Sequence, residues 1–103
     1  MNKQEKFESW LTKKFGENNG TKSSYLKALE MVSEKLNQNI FEINNLPEIN
    51  EIYLELKKEQ RNVNGKFYNK DAPSYAIKGF YSAAVKNYME FFETYKIRSM
   101  DKQ

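Results

Sequence analysis

The segment from Pro73 to Tyr95, PSYAIKGFYSAAVKNYMEFFETY, constrains this chain more than any other. Ile77, Phe80, Tyr81, Ala84, Val85, Tyr88, Phe91, Phe92 and Tyr95 recur three and four residues apart, the repeat of one helix face. A helix so rich in rings has to be buried, and so predicts a bundle with this segment at its centre. Lys78, Ser82 and Lys86 fall four apart and form a second, polar stripe on the same expected helix.

The remaining sequence supplies partners for that helix. A first helix is expected over Asn2–Phe15, with Phe7, Trp10, Leu11 and Phe15 on one face and Gly16 as its stop. A second starts at a cap on Ser23 or Ser24 and buries Tyr25, Leu29, Val32 and Leu36. Residues 37–45 break it. Ile40, Phe41 and Ile43 there form a buried connector, with a short strand as an alternative lacking an obvious partner. Asn45, Pro47 and Glu48 suit the first turn of a third helix whose inward stripe is Ile49, Ile52, Tyr53 and Leu56. A polar loop, residues 62–73, leads into the long helix. The expectation is an all-α, compact four- to five-helix bundle: one domain over residues 1–97 and a frayed tail over 98–103.

Composition narrows the chemistry. With 103 residues, 39% hydrophobic and 15% aromatic, the chain can bury a modest core and is too apolar for a disordered one. It has no cysteine and no histidine. Disulfides and thiolate or imidazole metal sites are therefore excluded, and acid–base work would fall to a shifted Glu, Asp, Lys or Tyr. No Gly-rich phosphate loop, Walker pattern or nucleophile elbow is present. Glu51, Glu55 and Glu59 lie four apart, but Lys57 and Lys58 flank them, which fits an ion-paired face better than a metal site. Glu55-Leu56-Lys57 matches half of a restriction-nuclease motif. It sits mid-helix with no aspartate before it, so that reading fails. The chain reads as non-catalytic, without a cofactor. No apolar run spans a bilayer and the first residues carry no signal-like core, so a cytoplasmic location is expected and no membrane partner.

Charge is uneven. Residues 1–50 carry 7 Lys against 7 Glu, whereas residues 57–86 carry seven cations (Lys57, Lys58, Arg61, Lys66, Lys70, Lys78, Lys86) against Glu59 and Asp71. Phe67, Tyr68, Tyr75 and Tyr81 are interleaved with them. Cations beside rings are what phosphate contact with some base stacking needs. A solvated face with rings packed on the bundle explains the same pattern. Gly79, Ala83 and Asn87 line a narrow strip of the expected helix, accounted for by close approach of another helix or of a nucleic-acid backbone. In the second case Ser74 and the helix-start amides would donate to a phosphate.

With those residues in view, the chain resembles the small helical DNA-binding domain that precedes the catalytic domain of tyrosine recombinases and phage integrases. Phe7, Trp10 and Leu11 match its opening helix, and Thr21-x-x-x-Tyr25-x-x-x-Leu29 is similar to its second. Ile49, Ile52 and Tyr53 match its third, and Phe80 to Phe92 resembles its closing helix. A similar module opens prokaryotic restriction proteins of the McrB and HNH-nuclease kinds. Two departures stand out. The basic residue of the closing motif falls one place late, at Lys86, and the catalytic Arg, His and Tyr set is missing. The resemblance implies a SAM-like fold clamping one side of a duplex, and nominates Lys22, Lys27, Lys78, Ser82 and Lys86 for phosphate contact.

The leading expectation is a DNA-binding module, the N-terminal part of a larger prokaryotic mobile-element or defence protein. Arg61, Lys66, Lys70, Lys78 and Lys86 would hold phosphates, and Tyr68 or Phe67 would meet a base. Readout would be weakly sequence-specific, because the chain has only two arginines. The competing expectation is a protein–protein module: an assembly domain, or a small inhibitor of a nucleic-acid enzyme.

Overall fold

In the computed structural model, residues 2–17, 20–70 and 73–101 are described. The helices are α1 (Lys3–Phe15), α2 (Gly20–Leu36), α3 (Leu46–Glu59), α4 (Pro73–Ile77) and α5 (Phe80–Asp101), with a 3-10 turn at Ile40–Glu42. No strand occurs among the described residues, so the all-α bundle stands and the alternative strand at Ile40–Ile43 does not.

Local chemistry sets most of the boundaries. The Asn2 side chain accepts from the Glu5 amide at 2.8 Å and caps α1, and Gly16, at φ 96°, ends it. α2 begins at Gly20, earlier than the expected serine caps, because its first turn is polar and carries no apolar periodicity to mark it. It ends at Asn37 in the left-handed region (φ 54°), a role Asn fills better than most residues. The connector then folds as a tight turn: Asn39 Oδ1 accepts from the Phe41 amide, and Ser33 Oγ from that of Ile40. Asn45 caps α3 by accepting from Glu48 N at 3.1 Å, with Pro47 beside it.

The long aromatic helix is not continuous. α4 is only 5 residues, Gly79 sits at φ +71°, and α5 starts at Phe80. A glycine just past a helix end, in the left-handed region, is a common stop that most other residues resist. At its other end α5 runs to Asp101.

α5 nevertheless occupies the centre. Tyr81, Ala84, Val85, Tyr88, Phe91 and Phe92 are buried and Phe80 is half-buried, while the side chains of Ile77 and Tyr95 lie outside the described residues. Phe7 is fully buried with its ring centroid 5.3 Å from both Tyr88 and Phe91 and 6.0 Å from Phe41. α3 runs antiparallel to α5: Gln60, after α3, bonds Ser82 near the start of α5, and Leu46 shares a cleft with Met89. Lys3 fastens the α1 start by donating to Ile43 O and Asn44 Oδ1 at 3.1 and 3.0 Å, 4.7 Å from the Phe92 ring centre.

Candidate nucleic-acid interface

The break at Gly79 rearranges the residues that the sequence had put on one stripe. Ser82 is 7% exposed: its amide donates to Gln60 Oε1, its hydroxyl accepts from Gln60 Nε2 at 2.8 Å, and it in turn donates to Gly79 O. It joins α3 to α5 and cannot reach a phosphate. Phe67, 1% exposed, is core and cannot stack on a base, and Tyr68 is half-buried against the bundle. The amides at the start of the long helix, thought to hold a phosphate beside Ser74, belong instead to the short α4.

The cations also divide. Lys66 reaches back to Glu55 at 3.5 Å, and Lys86 lines a cleft with Asn50. Asn50 and Glu55 are separated by about 140° around α3. Lys66 and Lys86 therefore lie on opposite flanks and cannot form one continuous positive face. Lys27 has Glu30 at 4.0 Å, and Lys86 shares its open cleft of about 510 Å³ with Glu90 and Glu93.

A different grouping forms where α3 ends and α4 turns into α5. The Arg61 guanidinium lies 3.1 Å from the point where a Cβ on Gly79 would stand, so it spans from the end of α3 to the junction. Lys57 and Lys58 precede Arg61 by four and three residues, roughly one turn. Lys78 is exposed and its Nζ lies 6.0 Å from the Phe80 ring centre. The Phe80 ring is 6.3 Å from Tyr25, and Lys22 lies one turn before Tyr25 on α2. Among the described residues, no carboxylate comes within ion-pair distance of Lys22, Lys57, Lys58, Lys70, Lys78 or Lys86.

The sequence reading missed the ring row at this end. Phe15, Tyr25, Phe80 and Tyr75, from α1, α2, α5 and α4, are all half-buried and linked edge-to-face. Phe15, Tyr25 and Phe80 sit on apolar helical repeats that assign them to core, and Tyr75 stands in the sequence only among the rings interleaved with the cations. Only their common position at one end of the bundle separates them from the true interior, and spacing along the chain does not carry that. Tyr81 lies behind Tyr75, its ring 6.2 Å away, 1% exposed and, among the described residues, with no hydrogen-bond partner for its hydroxyl. Burial first, then Tyr75, hold its phenol above the ordinary value.

No group of three or more metal-binding side chains is present among the described residues. The Lys3 ammonium is pushed below the usual lysine range by burial, but it is held by Ile43 and Asn44 and lines neither open cleft. No described helix is long and apolar enough to cross a membrane. The fold defines a small all-α bundle with a basic, ring-lined end. The chain matches no family model, no curated protein and no solved structure.

Proposed function

We propose that this chain is a non-catalytic DNA-binding module that contacts phosphates through the junction end of its bundle, with Arg61, Lys78 and Lys22 at the centre and Lys57, Lys58 and Lys70 around them. The resemblance in its helices suggests a larger prokaryotic mobile-element or defence protein as its setting. The observation that carries this reading is the group of cations drawn from α2, α3 and the α4–α5 turn, most of them without a carboxylate in reach. Lys27 and Lys66, each within ion-pair distance of an acid, contribute less, Lys86 lies on another flank of the bundle, and Ser82 contributes to the fold.

Affinity under this reading is mainly electrostatic, with log K falling by about 0.9 per log unit of salt for each phosphate neutralised on duplex DNA. The test is anisotropy of a labelled duplex titrated from 50 mM salt upward, a concentration low enough to reveal phosphate contacts. Binding with a salt slope, weakened at least about tenfold by R61E combined with K78E in a folded protein, supports the proposal. No binding, or binding indifferent to salt, rules it out.

One observation favours the protein–protein alternative. Leu54 and Val63 are 57% and 65% exposed, and the cleft beside Lys86 has Leu46, Pro47 and Met89 on its walls. If partner capture survives the double charge reversal and is lost on M89K, that alternative replaces the first.

A further inference from the structure

The row Phe15, Tyr25, Phe80 and Tyr75 is built differently from the rings beneath it. Phe7, Tyr81 and Tyr88 are sealed, whereas these four each keep part of their surface in solvent. They come from four helices and form one chain, with successive ring centroids 5.8, 6.3 and 5.4 Å apart and interplanar angles of 80°, 74° and 73°. Lys78 approaches the Phe80 ring, and Lys22 is one turn from Tyr25. Arg61 reaches across Gly79, directly before Phe80. Lys14, at the Phe15 end, is committed to Asn87 and Glu90 and serves to hold that ring instead.

We infer that this end takes single-stranded nucleic acid, with unpaired bases stacking on the ring row while Lys22, Arg61 and Lys78 hold the phosphates. The inference rests on the nucleic-acid reading above and deepens it by naming the form of the ligand. The burial of the rings favours a single strand over a duplex. The rings are half-buried and packed against the core, so none stands free as a wedge between paired bases. Stacking is tolerant of base identity, because every base has a π face, and it needs few arginines. A chain with only two arginines fits that requirement.

The experiment compares three fluorescein-labelled probes by anisotropy: a twelve-nucleotide thymidine strand, the same length of abasic strand, and a twelve-base-pair duplex. Stacking predicts that the thymidine strand binds tighter than the abasic one by about fivefold or more, and tighter than the duplex. Y75L should remove that preference without changing the salt slope, whereas K78E should reduce the slope by about one phosphate's worth. Tyr75 is chosen because it is half-buried on the short α4, and circular dichroism checks the fold; Y25L provides a second variant. Equal binding of the thymidine and abasic strands, or tighter binding of the duplex, overturns the single-strand inference and leaves the electrostatic reading standing. No binding to any probe removes both.

Discussion

Gln60 and Ser82 hold each other by two hydrogen bonds, Ser82 N to Gln60 Oε1 at 3.0 Å and Gln60 Nε2 to Ser82 Oγ at 2.8 Å, with both residues buried. The pair satisfies one of the free amides at the start of α5 with a side chain from the end of α3. Replacing Gln60 by Leu keeps the bulk and leaves the Ser82 amide buried without its acceptor. A buried polar group stripped of its partner costs about 1–3 kcal/mol. Urea unfolding of Q60L should show a loss in that range, and S82A a smaller one. If Q60L is as stable as the parent protein, the pair is not a joint between the helices.

Gly79 sits at φ +71°, with the Arg61 guanidinium 3.1 Å from where a Cβ would stand. The guanidinium is the end of a flexible side chain and can move aside, so the backbone conformation decides the cost. A non-glycine residue in the left-handed region costs roughly 1–2 kcal/mol. G79A should therefore lower the thermal midpoint by several degrees, and G79N, which tolerates this region better, by less. The penalty should persist in the R61A background. Rescue by R61A would instead make the steric contact the controlling factor.

The same glycine shows where reading the sequence stopped. Phe80 to Phe92 carries a helical repeat and does form the central helix, and Gly16 and Asn45 stop and start helices where their chemistry suggested, while Asn2, expected as the first residue of its helix, caps it. Gly79 interrupts no apolar repeat, so periodicity runs straight through it and leaves close approach of another helix or of a nucleic-acid backbone as its reason. Its actual reason is a dihedral angle, to which the apolar pattern is blind. Once the helix breaks there, Ser82 turns inward and the expected Lys78–Ser82–Lys86 stripe dissolves. The α2 start was misplaced for a related reason, since its polar first turn has no apolar signal. Glu55 beside Lys66 and Glu90 beside Lys14 are contacts between segments, and these decide which lysines keep an unpaired charge.

That division of the cations gives a comparison of charge reversals. K78E lies at the junction, K66E removes a cation facing Glu55, and K86E lies on the opposite flank of α3 beside Glu90 and Glu93. If phosphates bind at the junction, K78E should weaken DNA binding several-fold and flatten its salt dependence, while K66E and K86E should change affinity by less than about threefold. Anisotropy at a single low salt concentration is enough to rank them. Equal losses from all three would mean that overall charge governs binding, with no defined face.

Tyr81 is buried, its hydroxyl has no hydrogen-bond partner among the described residues, and its phenol is held above its ordinary pKa of 10.0, by desolvation first and by Tyr75 second. Removing the hydroxyl takes away an unsatisfied polar group while keeping the ring, so Y81F should be neutral or more stable by up to about 1 kcal/mol at pH 7. The sign of the pH effect follows from linkage. The folded state keeps the phenolic proton to higher pH than the unfolded chain does. The stability tied to Tyr81 is therefore complete below pH 10.0 and falls as pH rises through that value toward the higher folded pKa. Phenylalanine has no such proton, so the stability of Y81F relative to the parent should grow above pH 10, measured by urea midpoints at matched ionic strength. A Y81F loss of more than about 1 kcal/mol at pH 7 would mean that the hydroxyl has a partner after all.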